Sequence, residues 1–466
     1  MRTNLLRRTF PTPAILCAGL LLCSAAPSLQ AQEQEPQLKA SELKNLAKKA
    51  ANWVEWEIRK DGASPGREKA AARKKVLKAR EAFVKELEKR SSDEFDVLGS
   101  MPDLRLIFEA SLPYGSERGN GIPKMRRDSS VALVLDHALR IPKAYDDDVP
   151  MPLVISLPSR DEDEWMEPMD HMKAVWDGVP FSEEALVAVP ELGPDLEFEA
   201  PIDPDAANGG ALRRQRLVGI FGPLRGVRED FRIDYDRVIV DCGRGHGGFG
   251  VRFATYNPQL VGGLIIRDPQ PLDPEMRYGS LRGMPILLVA NDQTKADAEA
   301  LQAKIEEVSP GTCTVIDGDG EYPFAGSAAA ISEWCTGVHR DLVPSTVVVE
   351  PNSPYFRNAY WVKLGSPEPI LGVPLDARPR VEATADRDGN RIIVTARGVT
   401  DVTLLLNDEL VDLSRPVTIE VNGKATTQEF RRDLNFMMES LKDRRDPTWL
   451  FTAQYTTPVT EEDENK

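Results

Sequence analysis

Apolar residues recur along the chain in three rhythms, and each predicts a different kind of structure. From Gln32 to Arg90 they fall at helical spacing among Ala, Lys, Glu and Leu, with a break at Asp61-Gly62-Ala63-Ser64-Pro65-Gly66. This predicts a helical hairpin whose face Val76, Ala79, Phe83 and Leu87 packs on the main body while its charges meet solvent. After Ser129 short β-branched runs take over: Val131–Leu139, Leu153–Leu157, Leu186–Val189, Arg237–Cys242, Leu264–Ile266, Ile286–Ala290 and Thr312–Ile316. Several are continuously apolar, which predicts strands covered on both faces. Helical patterns at Gly248–Tyr256 and Lys295–Val308 fall between them, so the fold class is α/β with a mostly parallel sheet.

Beyond Pro369 the rhythm becomes strict alternation, with hairpin signals at Asp388-Gly389-Asn390 and Asn422-Gly423 and a helix pattern at Asp433–Leu441. The expected organisation is a leader over residues 1–31, a helical region over 32–128, a sheet domain over 129–368 and a β-rich domain over 372–459. The Pro/Gly-rich stretch Pro367–Pro374 is the expected junction.

The leader reading rests on Arg2, Arg7 and Arg8 ahead of the apolar run Ala14–Cys23, closed by Ala31. It predicts export, secreted or periplasmic, with a first mature residue of Gln32. The run is too short to span a bilayer, and no other stretch approaches the required length, so no membrane span is expected. Two of the five cysteines, Cys17 and Cys23, belong to this leader. Cys242, Cys313 and Cys335 remain, too few and too widely spaced for a disulfide framework or a zinc site. Cys313 with Cys335 is the one candidate pair, and buried free thiols are the alternative.

Charge narrows the partners. The 466 residues carry 58 basic and 74 acidic side chains, a balance of -16, and losing the three leader arginines makes it -19. No basic stripe interleaved with aromatics supplies a nucleic-acid footprint. A small molecule or another protein is the expected partner, and no cofactor is implied.

The most informative stretch is Arg237-Val-Ile-Val-Asp-Cys-Gly243-Arg244-Gly245-His246-Gly247-Gly248, a strand running through a glycine turn into a helix. Gly243, Gly245 and Gly248 satisfy G-x-G-x-x-G, whose amides cradle a pyrophosphate, with Asp268 placed to meet a ribose. Dinucleotide folds open with this unit, whereas here several strands precede it. The second chemistry is the nucleophile elbow G-x-S-x-G, whose small residues let strand and helix approach. Gly243, Gly247 and Gly248 keep those small residues.

With Leu139-Arg140-Ile141-Pro142-Lys143-Ala144-Tyr145 before Pro152-Leu153-Val154-Ile155-Ser156-Leu157, and with Phe356-Arg357-Asn358-Ala359-Tyr360-Trp361-Val362 near the domain's end, the chain resembles exported bacterial α/β-hydrolases of the prolyl-oligopeptidase and esterase type. The resemblance covers about residues 130–365. It implies a nucleophile, an imidazole, an orienting carboxylate and an oxyanion loop. Gly245 stands where the serine belongs. Asp292 falls where the carboxylate lies, but no histidine follows the last strand, where Glu321 stands near its place. The oxyanion loop reads Leu157-Pro158-Ser159-Arg160, and a proline has no N–H to offer.

The remaining chemistry is thinner. Arg244 and His246 are candidates for an anion contact at the helix N-terminus. His137, His171 and His339 lie elsewhere, and the pairs Cys242 with His246 and Cys335 with His339 lack the further ligands a metal needs. The acidic loop Asp161–Glu167 has no calcium-cage pattern and is expected to be a solvated loop. The expectation is a hydrolase fold with a dismantled site that binds or scaffolds. The alternatives are a hydrolase using other groups, such as Ser280 or a water held by His246 and Asp292, and a nucleotide-binding module.

Overall fold

A computed structural model describes residues 35–459 except 93, 116, 128–135, 162–163, 192–221, 354–355, 367–369 and 371–372. The leader, the start of the first expected strand and part of the Pro367–Pro374 junction therefore lie outside the described residues, as do the side chains of 160–165 in the acidic loop. Residues from Pro36 onward form one compact unit.

The helical hairpin is present as α1 (Ala40–Gly62) and α2 (Arg67–Glu88), followed by α3 (Met101–Glu109). Val76, Ala79, Phe83 and Leu87 pack with Trp53, Phe108 and the Met437 and Leu441 side chains of a later helix, α9 (Leu434–Arg444). Asp433 caps α9 by accepting the Asn435 and Phe436 amides.

The central sheet has eight strands: β1 (Lys124–Arg127), β2 (Asp136–Arg140), β3 (Met151–Leu157), β6 (Leu186–Pro190), β7 (Ile233–Cys242), β8 (Gly263–Arg267), β9 (Ile286–Ala290) and β10 (Cys313–Asp317). A two-residue ribbon, β4 (Arg160–Asp161) with β5 (Glu164–Trp165), lies outside it. The order is β1-β2-β6-β3-β7-β8-β9-β10. β1, β2 and β6 are joined antiparallel and every later pairing is parallel. This order, with its single reversal at β2, is that of an α/β-hydrolase sheet.

The unbroken apolar runs are explained by helices on both faces. Leu153, Ile155, Val240, Leu264 and Leu288 point into a core with α5 (residues 222–230), α6 (Gly247–Tyr256) and α7 (Lys295–Val308). Their neighbours Val154, Ile239, Ile265 and Leu287 face α4 (Pro168–Trp176) and α8 (Ala328–Gly337). Alternate residues of one strand thus feed two cores. Cys242, Cys313 and Cys335 are all free thiols and buried, so the candidate pair Cys313 with Cys335 is not formed. Burial pushes the Cys313 thiol up to about 12.

The C-terminal alternation forms two packed antiparallel-rich sheets over one core. One contains β11 (Thr346–Val349), β14 (Arg380–Asp386), β15 (Arg391–Arg397), β17 (Val417–Val421) and β18 (Lys424–Gln428). The other contains β12 (Asn358–Ala359), β13 (Val362–Leu364), β16 (Asp401–Leu406) and β19 (Ala453–Pro458). Asn422 and Gly423 both take positive φ, 46° and 77°, as a two-residue turn between right-twisted strands requires. No helix among the described residues is long and apolar enough to cross a membrane.

Candidate functional site

The strand-to-helix turn after β7 has the geometry of an elbow. The Gly243 amide donates to the Leu157 carbonyl at the end of β3, at 3.1 Å. A Cβ on Gly243 would stand 2.7 Å from that oxygen and 2.8 Å from Ser159 Oγ, so only glycine fits between the two strand ends. Gly245 sits at the apex with φ of 84°, a strained conformation for side chains and one that an elbow demands. His246 is buried and stands at the N-cap of α6.

Among the described residues, the groups expected for hydrolysis lie on separate elements. Asp292 is exposed in the turn after β9, and Glu321 is exposed after β10. Ser280 is buried, and its hydroxyl accepts the Glu350 amide at 2.9 Å beside β11. His339 is exposed beyond α8, and His137 is buried on β2.

What fills the region above the elbow is Tyr322. Its hydroxyl accepts the Arg244 amide at 3.2 Å and shares a short hydrogen bond with Ser159 Oγ. The Arg244 guanidinium lies 4.6 Å from the centre of the Tyr322 ring, and its Nε donates to Asp268 Oδ2 at 2.6 Å. Thr294 Oγ1 donates to the other oxygen of Asp268 at 3.1 Å. The carboxylate placed to meet a ribose and the arginine placed to meet an anion therefore hold each other. Burial raises the Tyr322 phenol above its ordinary pKa, against the hydrogen bond from Ser159, so it stays a neutral hydroxyl.

Several backbone donors around the turn are spent as well. Pro158 has none. The Ser159 amide donates to His171 Nδ1 at 3.1 Å, and the His246 amide to the Gly243 carbonyl at 3.0 Å. An oxyanion hole needs such donors free and converging on the reacting oxygen.

Beneath the turn lies a network that the linear pattern did not reveal. His171 on α4, Ser156 on β3, Asp241 on β7 and Arg267 on β8 are all buried. His171 Nε2 lies 2.9 Å from Ser156 Oγ, and Ser156 Oγ donates to Asp241 Oδ2 at 2.8 Å. Trp176 Nε1 donates to that same oxygen at 3.1 Å, and Arg267 Nε to Oδ1 at 2.9 Å. Serine, histidine and aspartate are together, but in the wrong sense for catalysis. His171 Nδ1 is committed as an acceptor from the Ser159 amide, which leaves Nε2 as the protonated nitrogen of the neutral ring. The proton relay therefore runs from His171 to Ser156 to Asp241, whereas a general base must accept the serine proton. Burial, with the nearby Arg267 and His246 charges, lowers the His171 pKa to about 3, so the ring is neutral near pH 7. This is a structural lattice that anchors α4 to three strand ends.

No family model matches the chain, and no curated protein sequence matches it. Among solved structures it is similar to a thermostable esterase, at 17% identity and TM-score 0.36, over 47% of this chain and 63% of that one. It is similar to an acylaminoacyl peptidase at 12% identity and TM-score 0.31, over 42% of this chain and 36% of that one. An S-formylglutathione hydrolase (FrmB) from Staphylococcus aureus matches at 12% identity and TM-score 0.34, over 48% of this chain and 98% of that one. The chain thus spans less than two thirds of the first two. Its fold assignment rests on its own strand order and elbow.

Proposed function

We propose that this chain is an exported α/β-hydrolase-fold protein that no longer performs triad hydrolysis and acts in binding or scaffolding. The observation that carries this reading is the internal use of the Arg244, Ser159 and His246 amides and of the Arg244 guanidinium at the elbow. Gly245 has no nucleophile, Tyr322 takes the Arg244 amide, His171 takes the Ser159 amide, and Arg244 closes on Asp268. A site that turns over esters keeps these groups open to a substrate. The elbow's positive-φ backbone persists at Gly245 without the serine, which supports a scaffold kept for its shape.

The test is labelling of the purified protein with a serine-directed fluorophosphonate probe, alongside p-nitrophenyl ester turnover. Neither should exceed the level of the heat-unfolded protein. Labelling that is lost on changing Ser280 would reinstate a hydrolase. Export is tested separately by N-terminal sequencing of material from outside the cytoplasm, where Gln32 is the expected first residue.

A further inference from the structure

Away from the elbow, a cavity of about 640 Å³ opens between α2, the turn at residues 96–98 and the segment leading into α9. This lies within the volume range of small-molecule sites. Its floor is apolar: Val84 and Leu87 from α2, Leu98 from the turn and Leu434 from α9. The α2 residues sit at positions 80, 84, 87 and 88, one stripe of the helix surface.

Polar groups on this floor divide into committed and available. All three donor nitrogens of Arg432 are engaged by Asp408 and Asp96, and Asp433 caps α9. Glu88 stands exposed at the mouth. Arg80 is different: its half-buried side chain lines the cavity, and its Nε has no hydrogen-bond acceptor in the protein. Its guanidinium forms no ion pair among the described residues, so a carboxylate in the cavity would give the outer nitrogens a charge-assisted partner. Arg431, exposed on the facing wall, adds a second positive charge.

We propose that this groove binds a small amphiphilic carboxylate, its alkyl part on Val84, Leu87, Leu98 and Leu434 and its carboxylate on Arg80 and Arg431. Arg432 and Asp96 pair with each other and Asp433 caps α9, so a single negative head group suits Arg80 and Arg431, whereas a polyanion would meet Glu88 and Asp96. This proposal does not depend on the state of the elbow.

Octanoate is the probe, titrated calorimetrically into the full chain. The expected result is saturable binding at one equivalent, weakened at least about ten-fold by Arg80→Met, which keeps the aliphatic stem and removes the charged donor. Arg431→Ala, at an exposed position that leaves folding alone, should weaken it a few-fold. Octyl glucoside and acetate, each lacking one half of the ligand, should bind at least about ten-fold more weakly than octanoate. Gly245→Ser should leave octanoate binding unchanged. The proposal is overturned by absence of binding, by binding that both arginine variants retain in full, or by octyl glucoside binding as well as octanoate. A dimer in sedimentation that octanoate dissociates would also overturn it, since a second copy would then be the occupant.

Discussion

The Tyr322 hydroxyl accepts the Arg244 amide at 3.2 Å while the Arg244 guanidinium lies 4.6 Å from the centre of the same ring. One side chain thus holds both the backbone and the head group of the residue before the elbow's apex. The phenol packs directly on the turn, between Arg244 and Ser159.

Tyr322→Phe removes only the hydroxyl and leaves the Arg244 amide and Ser159 Oγ without their shared partner. A loss of about 1–3 kcal/mol is expected, the usual cost of an unmet buried polar group. Tyr322→Ala also opens a cavity and should cost about 3–5 kcal/mol, the range for large aromatic truncations. Urea denaturation of the two variants measures both. A Phe variant as stable as the wild type would mean that the hydroxyl is not holding the turn.

Gly245→Ser introduces a nucleophile at the apex but no base, and the His246 amide beside it is already spent on the Gly243 carbonyl. Its p-nitrophenyl ester turnover should stay at the wild-type background. Adding Glu321→His places an imidazole in the loop after β10, and the double variant should exceed the sum of the singles because the two groups only function together. Tyr322 still fills the space above them, so the triple variant with Tyr322→Ala should gain further. Turnover in Gly245→Ser alone at the level of a working esterase would contradict the role given to Tyr322.

The strands and the elbow were legible because each leaves a local mark. A strand covered on both faces must be apolar at successive positions, and Leu264–Ile266 and Ile286–Ala290 are. The elbow needs small residues at fixed offsets, and Gly243 and Gly247 stand there. The His171 lattice leaves no such mark, since its members come from α4, β3, β7 and β8 and Ser156 and Arg267 are 111 positions apart in sequence. A signal did exist in Ser156, Asp241 and Arg267, three polar residues inside or at the end of apolar runs. A buried polar group in such a place must have a partner, and asking which one would have led to His171. Tyr322 is hidden for another reason: a tyrosine in a loop carries no local mark of what it packs against, which is set in three dimensions.

His171 makes stability depend on pH in a defined direction. Its folded pKa is lowered to about 3, chiefly by burial, while the unfolded ring titrates near 6.5. Between these values the unfolded chain binds a proton that the folded chain does not, so stability falls as pH drops below about 6.5, by at most about 1.4 kcal/mol per unit. Above that pH the contribution is complete. His171→Gln should be less stable at pH 7 yet show a shallower decline toward pH 4. Equilibrium urea unfolding of both proteins from pH 4 to 8 measures the difference in slope, and parallel curves would refute the assignment.

Arg340 ties the sheet to the C-terminal region through Asp446, at 3.0 Å, and Asp236 on β7, at 2.8 Å, with both Arg340 and Asp446 buried. Burial alone would raise the Asp446 pKa, but Arg340 and the hydrogen bonds from Thr448 outweigh it, and the net direction is down. Arg340→Met keeps most of the volume and leaves Asp446 a buried carboxylate without its cation, a change that typically costs about 3–5 kcal/mol. The sign of the pH effect should then reverse. In the wild type, Asp446 adds stability that is complete above its unfolded value near 3.8 and is lost as pH falls through that range. In the variant, burial is no longer opposed, the folded pKa rises above the unfolded one, and protonation becomes stabilising. The stability gap between wild type and Arg340→Met should therefore narrow as pH is lowered from 7 toward 4, and Arg340→Met with Asp446→Asn should recover part of the loss at pH 7. A gap independent of pH, or a double variant no better than the single, would show that the cost of losing Arg340 is packing rather than charge.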